Sequence, residues 1–257
     1  MPLTAPTAAM LIIGDEVLSG RTKDKNLGYI ADYLAALGID LKEARVVGDT
    51  EEAIVQAVNA LRERYTYVFT TGGIGPTHDD ITAECVAKAF GVPINHHPEA
   101  VATLKAYFEQ MGREPNEARM RMARVPDGAT LIDNPVSKAP GFRMANVFVM
   151  AGVPKIMQAM LDVIAPQLAR GIPVISRTLT FLGGEGDAAK PLKQIQDRHP
   201  SVTIGSYPFE GAGGFGTNLV LRSRDELALD KAFADVRTMA EELTAAGTAR
   251  GWTIPEK

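Results

Sequence analysis

The chain has very little of what marks a disulfide-linked, nucleic-acid-binding or membrane protein. Cys85 is its only cysteine among 257 residues, so no internal disulfide can form and a cytoplasmic location is expected. The formal net charge is −4, which argues against direct contact with nucleic acid. No basic leader precedes the apolar run near the N-terminus, and that run is too short to span a bilayer. A membrane partner is therefore not expected.

The sequence does have the composition of a globular protein with a substantial core. It is 46% hydrophobic and 23% charged. Strand-like and helical patterns alternate over the first two-thirds of the chain. The predicted elements are strand 8–13, helix 26–37, strand 41–47, helix 51–64, strand 67–69, helices 81–90 and 99–111, strands 129–132 and 147–150, and helix 155–169. This alternation predicts an α/β fold whose sheet is mostly parallel and carries helices on both faces.

The order of elements changes near residues 170–173. The later segments are a strand at 177–182, a helix at 188–198, strands at 202–207 and 218–222, and a helix at 225–246. This β-α-β-β-α order is typical of a small α+β unit. We therefore predict an α/β domain over residues 1–172 and a small α+β domain over residues 173–257.

Loops rich in glycine and acidic residues follow each of the first three predicted strands. Ligands of open α/β sheets bind beyond the carboxyl ends of the strands. Glycines let backbone N–H groups approach a ligand closely, and the N-terminus of a helix favours anions. The residues concerned are Gly14, Asp15, Glu16, Gly20, Asp24 and Asn26 in the first loop, Gly48, Asp49 and Thr50 in the second, and Thr71, Gly72, Gly73, Gly75, Pro76, Thr77, Asp79, Asp80 and Thr82 in the third.

Carboxylates next to an anion site would repel a phosphate unless a metal ion lies between them. The combination of glycines and aspartates therefore indicates a small phosphorylated ligand together with Mg²⁺ or another divalent cation. A simpler alternative remains open for single residues, since Asp80 could be a helix N-cap and Asp49 to Glu52 fits a capping box. Three acidic glycine loops at strand ends are harder to explain by capping, and we favour a binding site.

A second glycine-rich segment and a run of arginines are both interpreted as structural, and the third loop is not a P-loop. The segment Gly211 to Gly216 matches G-x-G-x-x-G, but the strand-like run Asn218 to Leu221 follows it, so we predict a hairpin loop and no dinucleotide site. The third strand-end loop contains no lysine and is not a P-loop. The arginines between residues 113 and 124 are interpreted as a solvated helix face, with phosphate or subunit contacts as the alternative.

The third loop, with the pattern Thr70-Thr-Gly-Gly-x-Gly-Pro-Thr-x-Asp-Asp-x-Thr82, resembles the signature of the molybdopterin-binding domain. That domain occurs in MogA and MoaB proteins, in FAD synthases and in the N-terminal part of CinA-type competence/damage-inducible proteins. The first loop resembles the CinA-type version, as do Asn134 and the segment Ala139-Pro140-Gly141-Phe142. The amidohydrolase domain that ends full-length CinA is not found in this sequence.

The resemblance implies a three-layer α/β fold with the ligand over the third loop. It implies that Asp49 and Asp80 are catalytic, since they match two aspartates that serve molybdopterin adenylation in MogA-like members. CinA-type domains are linked to metal-dependent hydrolysis of ADP-ribose, and we assign the metal to Asp15, Asp79 and Asp80. The expected ligands are ADP-ribose, another nucleotide, or a pterin such as molybdopterin, bound by a homo-oligomer. The remaining predicted ligand residues are Gly14, Glu16, Gly20, Asp24, Asn26, Thr71, Gly72, Gly73, Gly75, Pro76, Thr77, Thr82, Asn134, Pro140 and Gly141.

The chain departs from the family pattern in loops expected to face the ligand. Ser137 and Lys138 stand where the family often has glycine and threonine, and Ala151 replaces a common proline. The acidic residue that usually follows shortly after Pro154 is missing, since the chain continues with Lys155. Two alternatives to a hydrolase stay open. One is a non-catalytic molybdopterin- or nucleotide-binding protein, and the other is an interaction module in competence or the response to DNA damage.

Overall fold

The computed structural model of the chain describes residues 5–211 and 214–255. It divides into two compact units, Met1–Gly171 and Ile172–Lys257, which are described one at a time. Over the described residues, no helix combines the length and apolarity that crossing a membrane would require.

The first unit is built on a six-stranded sheet with the strand order β2-β1-β3-β8-β7-β6. Strands β2, β1, β3 and β8 are parallel, whereas β7 and β6 run antiparallel to their neighbours. The strands are β1 (Thr7–Ile13), β2 (Asp40–Val47), β3 (Tyr67–Thr71), β6 (Thr130–Ile132), β7 (Gly141–Met144) and β8 (Val147–Met150). A mostly parallel α/β sheet is therefore confirmed.

Helices cover both faces of this sheet because the buried strands are apolar on both sides. The long helices are α2 (Asn26–Ala36), α3 (Glu51–Arg62), α4 (Thr82–Phe90) and α7 (Pro154–Ile164). Alternate residues of β1 enter two separate cores: Met10 packs with residues of α2 and α7, whereas Leu11 packs with residues of α3 and α4. The three-layer arrangement follows directly from this alternation.

Smaller elements complete the first unit. They are α1 (Asp15–Leu18), β4 (Ile94–His96), α5 (Pro98–Gln110), α6 (Glu117–Met120) and β5 (Arg124–Pro126). Strands β4 and β5 form an antiparallel pair, and Ala100, Leu104 and Phe108 of α5 pack against Ala123. Two arginines of the basic run, Arg121 and Arg124, lie 3.6 and 2.6 Å from Glu84 Oε1. For these two, ion pairing within the unit replaces the predicted solvated face.

The second unit has a four-stranded antiparallel sheet in the order β10-β11-β9-β12, with two helices packed against it. Its elements are β9 (Ile175–Phe181), α8 (Glu185–Arg198), β10 (Thr203–Gly211), β11 (Gly214–Ser223), α9 (Glu226–Ala245) and β12 (Trp252–Thr253). The predicted small α+β unit is confirmed.

Several predicted boundaries were wrong. The segment around Pro208 and Thr217, predicted as a glycine-rich loop, is mostly strand, because β10 and β11 stay paired as far as Gly211 and Gly214. Ala212 and Gly213 lie outside the described residues. The helix predicted to reach residue 169 ends at Ile164, where a 3₁₀ turn containing Pro166 follows. The short elements α1, β4, β5, α6, β7 and β12 were missed.

Candidate functional site

The loops predicted to bind a ligand meet at one edge of the first sheet. The four parallel strands end at Val47, Ile13, Thr71 and Met150, and the loop between β6 and β7 returns to the same edge because these two strands are antiparallel. A cavity of about 470 Å³ lies at this edge. It lies where ligands of open α/β sheets bind.

The cavity is lined by both polar and apolar residues. The polar ones are Glu16, Thr22, Asp80, Asn134 and Ser137, together with Gly72, Gly73 and Gly75 of the glycine loop, the name used here for residues 72–75. The apolar ones include Ile74, Met122, Val153 and Ile156. Several predicted residues line the cavity, namely Glu16, Gly72, Gly73, Gly75, Asp80 and Asn134. Thr22 and Met122 were missed, because no local motif marks them and only the fold brings them there. Ala151 lines the cavity, as expected for its loop from the family resemblance, although the residues after β8 were not among the predicted ligand residues.

At Gly72 and Gly73 the backbone of the glycine loop packs too closely for any side chain. Gly72 has a φ of 103°, and a Cβ atom there would lie 2.1 Å from the carbonyl oxygen of Ile13. Gly73 has a φ of 65°, and its Cβ atom would lie 2.2 Å from Thr82 Oγ1. The Thr82 hydroxyl donates to the carbonyl of Gly72, and its amide donates to the carbonyl of Gly73. Thr82 therefore holds the glycine loop in place by hydrogen bonding, and it is not among the residues that line the cavity.

Asp80 closes the third strand-end loop and does not cap helix α4. Its carboxylate Oδ2 accepts hydrogen bonds from the Thr77 amide at 2.8 Å and the Thr77 hydroxyl at 2.5 Å. The residue that precedes the helix is Ile81, and no side chain caps the helix there. The interpretation of Asp80 as a simple N-cap is therefore wrong, and its carboxylate lines the cavity.

Asp49 and Asp15 form an acidic pair beside the cavity. Asp49 Oδ2 accepts a hydrogen bond of 2.9 Å from the amide of Asp15, whereas the N-cap position of α3 is Thr50, without a side-chain cap. Burial raises the pKa of Asp49, and the negative charges of Asp15, Glu16 and Asp79 act in the same direction, against the lowering effect of the Asp15 amide. Asp49 thus stabilises the start of α1, and the capping-box interpretation is wrong.

The predicted metal ligands do not converge into one cage. Across residues 5–211 and 214–255, no group of three or more histidine, cysteine, aspartate or glutamate side chains could hold a metal ion. Asp79 is exposed, and the Thr77 side chain lowers its pKa by hydrogen bonding. A metal held only by Asp15, Asp79 and Asp80 does not fit this arrangement.

Other predicted residues organise the loops around the cavity. Asp24 Oδ1 accepts from the amides of Asn26 and Leu27, at 3.2 and 2.8 Å, and so satisfies two amides at the start of helix α2, whose N-cap residue is Lys25. Asn134 is buried and holds its loop, because its Nδ2 donates to Ser137 Oγ and to the Ala139 carbonyl while its Oδ1 accepts from two amides. The predicted residues outside the cavity lining are Gly14, Asp15, Gly20, Asp24, Asn26, Asp49, Thr71, Pro76, Thr77, Asp79, Thr82, Pro140 and Gly141.

The departures from the family pattern have different structural settings. Lys138 has a φ of 61°, a left-handed conformation that suits glycine. Ser137 and Ala151 line the cavity, whereas Lys155 is exposed on α7. The changes at Ser137 and Ala151 therefore alter the wall that a ligand would meet.

Comparison with known proteins gives the class of this fold and site. The sequence profile described as "Probable molybdopterin binding domain" matches residues 9–170, and the profile described as "FAD synthase, middle domain" matches residues 173–246. The chain therefore belongs to the molybdopterin-binding-domain family, as the resemblance of its third loop implied.

Its relatives within that family are CinA-like. A Clostridium beijerinckii protein described as competence-damage inducible is 32% identical over 244 residues, which cover 92% of this chain and 58% of the relative. A CinA-like protein of Desulfosudis oleivorans is 38% identical over 186 residues, covering 68% of this chain and 45% of the relative. The crystal structure of a CinA protein of unknown function from Thermoplasma acidophilum has a TM-score of 0.59 and 32% identity, covering 63% of this chain and 98% of that one. The chain thus spans about half the length of these two curated relatives.

Proposed function

We propose that the cavity of the first unit binds a nucleotide or pterin diphosphate, and that the chain hydrolyses ADP-ribose at its pyrophosphate with the help of Mg²⁺. The observation that carries this proposal is a cavity whose lining combines a glycine backbone, two carboxylates and several apolar side chains. A volume of about 470 Å³ lies within the usual range for small-molecule sites.

The two kinds of lining residue suit the two parts of such a ligand. Backbone amides near Gly72 and Gly73 can approach phosphate oxygens because no side chain intervenes. The apolar side chains of Ile74, Met122 and Ile156 can pack against a flat purine or pterin ring. A ligand with a diphosphate at one end and an aromatic ring at the other would use both kinds of lining residue.

Charge explains why a cation would accompany the ligand. The cavity lining includes the carboxylates of Glu16 and Asp80, and no lysine or arginine is among the lining residues described. Mg²⁺ is commonly held by one or two carboxylates together with substrate phosphates, so a cage of three carboxylates is not required. Bound in this way, Mg²⁺ would neutralise phosphate charge and lower the pKa of a bound water.

In this proposal, Asp80 and Asp49 have separate roles in the hydrolysis. In the proposed reaction a water oxygen attacks one phosphorus atom, the bond from that phosphorus to the bridging oxygen breaks, and AMP and ribose 5-phosphate are formed. Asp80 orients the water from the cavity wall. Asp49 is our candidate for the group that accepts the proton of the water, because burial raises its pKa, but it does not line the cavity and would have to receive the proton through an intervening water.

The test is to incubate the protein with ADP-ribose, ADP and FAD, each with Mg²⁺ and with EDTA, and to identify products by mass spectrometry. FAD is included because residues 173–246 match a domain of FAD synthase and because FAD contains the same adenosine diphosphate group. We expect AMP and ribose 5-phosphate from ADP-ribose only when Mg²⁺ is present. Absence of turnover under every condition would refute the hydrolase.

A second candidate is a carrier that binds the same ligand without turnover. It is favoured by the lack of a three-carboxylate group in the described part of the chain and by the position of Asp49 outside the cavity lining. Calorimetric titration separates the two candidates. A carrier would bind ADP-ribose or a pterin phosphate and release it unchanged.

A further inference from the structure

A second cavity lies against the sheet of the second unit, and is called the sheet-face cavity here. Its volume is about 430 Å³, which is within the usual range for small-molecule sites. Side chains alternate along β11, so Leu219 and Leu221 enter the core with α8 and α9 while Val220 points to the other face. The cavity lies on that other face and is lined by Thr178, Tyr207, Asn218, Val220, Arg222 and Pro255.

The ring of Tyr207 leans along β10 over Gly205. A Cβ atom on Gly205 would lie 2.9 Å from Tyr207 Cε2 and 3.0 Å from its hydroxyl oxygen. In the strand register Gly205 is opposite Val220, and the next residue of β11 on the same face is Arg222. The hydroxyl end of the ring is therefore directed towards Arg222. Tyr207 is 50% exposed, so part of its ring remains available to a ligand.

The polar groups at this cavity are hydrogen-bond donors that lack an acceptor. Arg222 is exposed, and its side chain has no ion-pair or hydrogen-bond partner among the described residues. The Thr180 hydroxyl donates to Asn218 Oδ1 at 2.8 Å, which leaves the two hydrogens of Asn218 Nδ2 for another partner. No aspartate or glutamate is among the described residues that line the cavity. Donors of this kind without a nearby carboxylate indicate a site for an anion.

We propose that the sheet-face cavity binds a small ligand in which a flat ring carries an anionic group, such as a nucleoside monophosphate. The exposed ring of Tyr207 stacks against the flat ring, and Arg222 and the amide of Asn218 bind the anion. This cavity shares no lining residue with the main cavity of the first unit. The inference is therefore independent of the proposed hydrolysis.

The experiment is an NMR titration of the full chain with AMP, followed through the side-chain signals of Asn218 Nδ2 and Arg222 Nε. These two signals report on the sheet-face cavity even if AMP also enters the main cavity. We expect both signals to shift. Adenosine lacks the anion and ribose 5-phosphate lacks the flat ring, so each should bind here about tenfold more weakly than AMP or worse.

Two variants test the anion site. Asn218→Asp keeps the shape and the acceptor for Thr180 but repels an anion, and Arg222→Gln removes the positive charge. Each should weaken AMP binding about tenfold, measured from the side-chain signal that remains, and neither should change the weak binding of adenosine. The control is Arg177→Gln, because Arg177 pairs with Asp230 at 2.6 Å and faces the same side as Leu221, away from the cavity. It should bind AMP like the wild type.

A second pair of variants tests the stacking platform. Tyr207→Phe keeps the ring and should bind AMP within about twofold of the wild type. Tyr207→Leu removes the ring and should weaken AMP binding by about fivefold or more. Thermal melts should show all of these variants folded, since the substituted side chains lie outside the core of the second unit.

Several outcomes would overturn the inference. The first is that millimolar AMP leaves both side-chain signals unshifted, and the second is that AMP and adenosine bind equally well. Wild-type affinity for AMP in Arg222→Gln, or an equal loss in Arg177→Gln, would remove the specific role of Arg222. A short single-stranded oligonucleotide that shifts the same signals at far lower concentration than AMP would show that the cavity serves a nucleic acid, and the small-ligand assignment would be wrong.

Discussion

Two glycine-rich segments of this chain have opposite structural roles. The glycine loop of the first unit follows the parallel strand β3 and leads into helix α4, beside the main cavity. In the second unit, Gly211 ends β10, and Gly214 and Gly216 belong to the paired strand β11. The sequence from Gly211 to Gly216 matches G-x-G-x-x-G, yet these three glycines lie in paired strands, so glycine content alone does not make an anion site.

The difference is clearest between Gly72 or Gly73 and Gly211, since Gly214 also has a positive φ, of 94°, and its Cβ atom would lie 2.6 Å from Arg250 Nη1. Gly72 and Gly73 both have positive φ values and pack within van der Waals distance of other groups, so no other residue fits there. Gly211 has no described atom within 4 Å of a Cβ position. A glycine required by close packing at the end of a parallel strand is a better sign of function than a glycine in a motif.

The largest predicted effect comes from Gly72→Ala in the glycine loop, compared with Gly211→Ala in the second unit. Gly72→Ala places a Cβ atom against the Ile13 carbonyl, in a conformation that L-residues avoid, so we expect ligand binding to be lost and the free energy of unfolding to fall by roughly 2–4 kcal/mol. Gly211→Ala should change stability by less than about 0.5 kcal/mol and leave binding intact. Chemical denaturation and ADP-ribose titration measure both.

A larger loss of ligand binding in Gly211→Ala than in Gly72→Ala would contradict the assignment of the site. Equal binding by wild type and Gly72→Ala would show that the close packing of the glycine loop does not position the ligand. Loss of ADP-ribose binding in a folded Gly211→Ala variant would instead move the site to the second unit.

A smaller effect is expected from Asp80→Asn, for which the second unit provides a true helix cap as control. Asp225 Oδ1 accepts from the Ala228 amide at the start of α9, and asparagine caps helices about as well as aspartate, so Asp225→Asn should be mild. Asp80→Asn keeps an acceptor for the Thr77 amide but loses the charge, and we expect turnover to fall about 100-fold with the fold intact.

The metal dependence of binding sharpens the same test. Removing one repelling carboxylate should weaken the need for Mg²⁺ in ADP-ribose binding by Asp80→Asn. Unchanged turnover and unchanged Mg²⁺ dependence would leave Asp80 with only its loop-closing role.

The third prediction uses two aspartates whose pKa values shift in opposite directions. Burial raises the pKa of Asp49, so the folded state prefers its protonated form and loses stability as pH rises through the window above the ordinary pKa. Asp49→Asn should therefore raise Tm at neutral pH while lowering turnover.

Asp235 shows the opposite shift. Hydrogen bonds from His199 and Arg198 lower its pKa, so its contribution to stability is present above its ordinary pKa and is lost in acid. Asp235→Asn should accordingly lower Tm at neutral pH.

Melting curves at pH 7 and at acid pH check both signs. The gain of Asp49→Asn should shrink as pH falls, because the wild-type carboxyl becomes protonated in both folded and unfolded states. A lower Tm for Asp49→Asn at neutral pH would show that its hydrogen bond to the Asp15 amide outweighs its burial.

Much of the fold could be predicted from the sequence because periodicity determines which elements are buried. The apolar run from Ala8 to Ile13 and the helical spacing from Asn26 gave β1 and α2 nearly at their observed bounds. The short strand β7 was missed because its sequence, Gly-Phe-Arg-Met, lacks the continuous apolar run by which the equally short β8 was found. Its place in the sheet depends on pairing with β8, which local sequence does not encode.

The candidate site was predictable only where chemistry and strand ends coincide. Gly72, Gly73 and Asp80 were found because a glycine loop and carboxylates follow a buried strand. Met122 was missed, since it reaches the cavity from a segment between α6 and β5 with no motif of its own. The capping interpretations of Asp49 and Asp80 were wrong because the partners that bind their carboxylates come from tertiary contact or from within a loop.

The smallest predicted effect concerns Lys138, which lies in the loop between β6 and β7 in a left-handed backbone conformation. Its φ of 61° costs an L-residue about 1–2 kcal/mol, whereas glycine loses roughly 0.5–1 kcal/mol more backbone entropy on folding. Lys138→Gly should therefore raise the free energy of unfolding by about 0.5 kcal/mol. Ala145, with a φ of 52° in the turn between β7 and β8, is the control, and Ala145→Gly should give a similar gain. Because Lys138 is not among the residues that line the cavity, ADP-ribose affinity should stay within about twofold in both variants. A tenfold loss of affinity in Lys138→Gly alone would show that its ammonium group reaches the bound phosphates, and would add a positive charge to a site otherwise built from glycine amides and carboxylates.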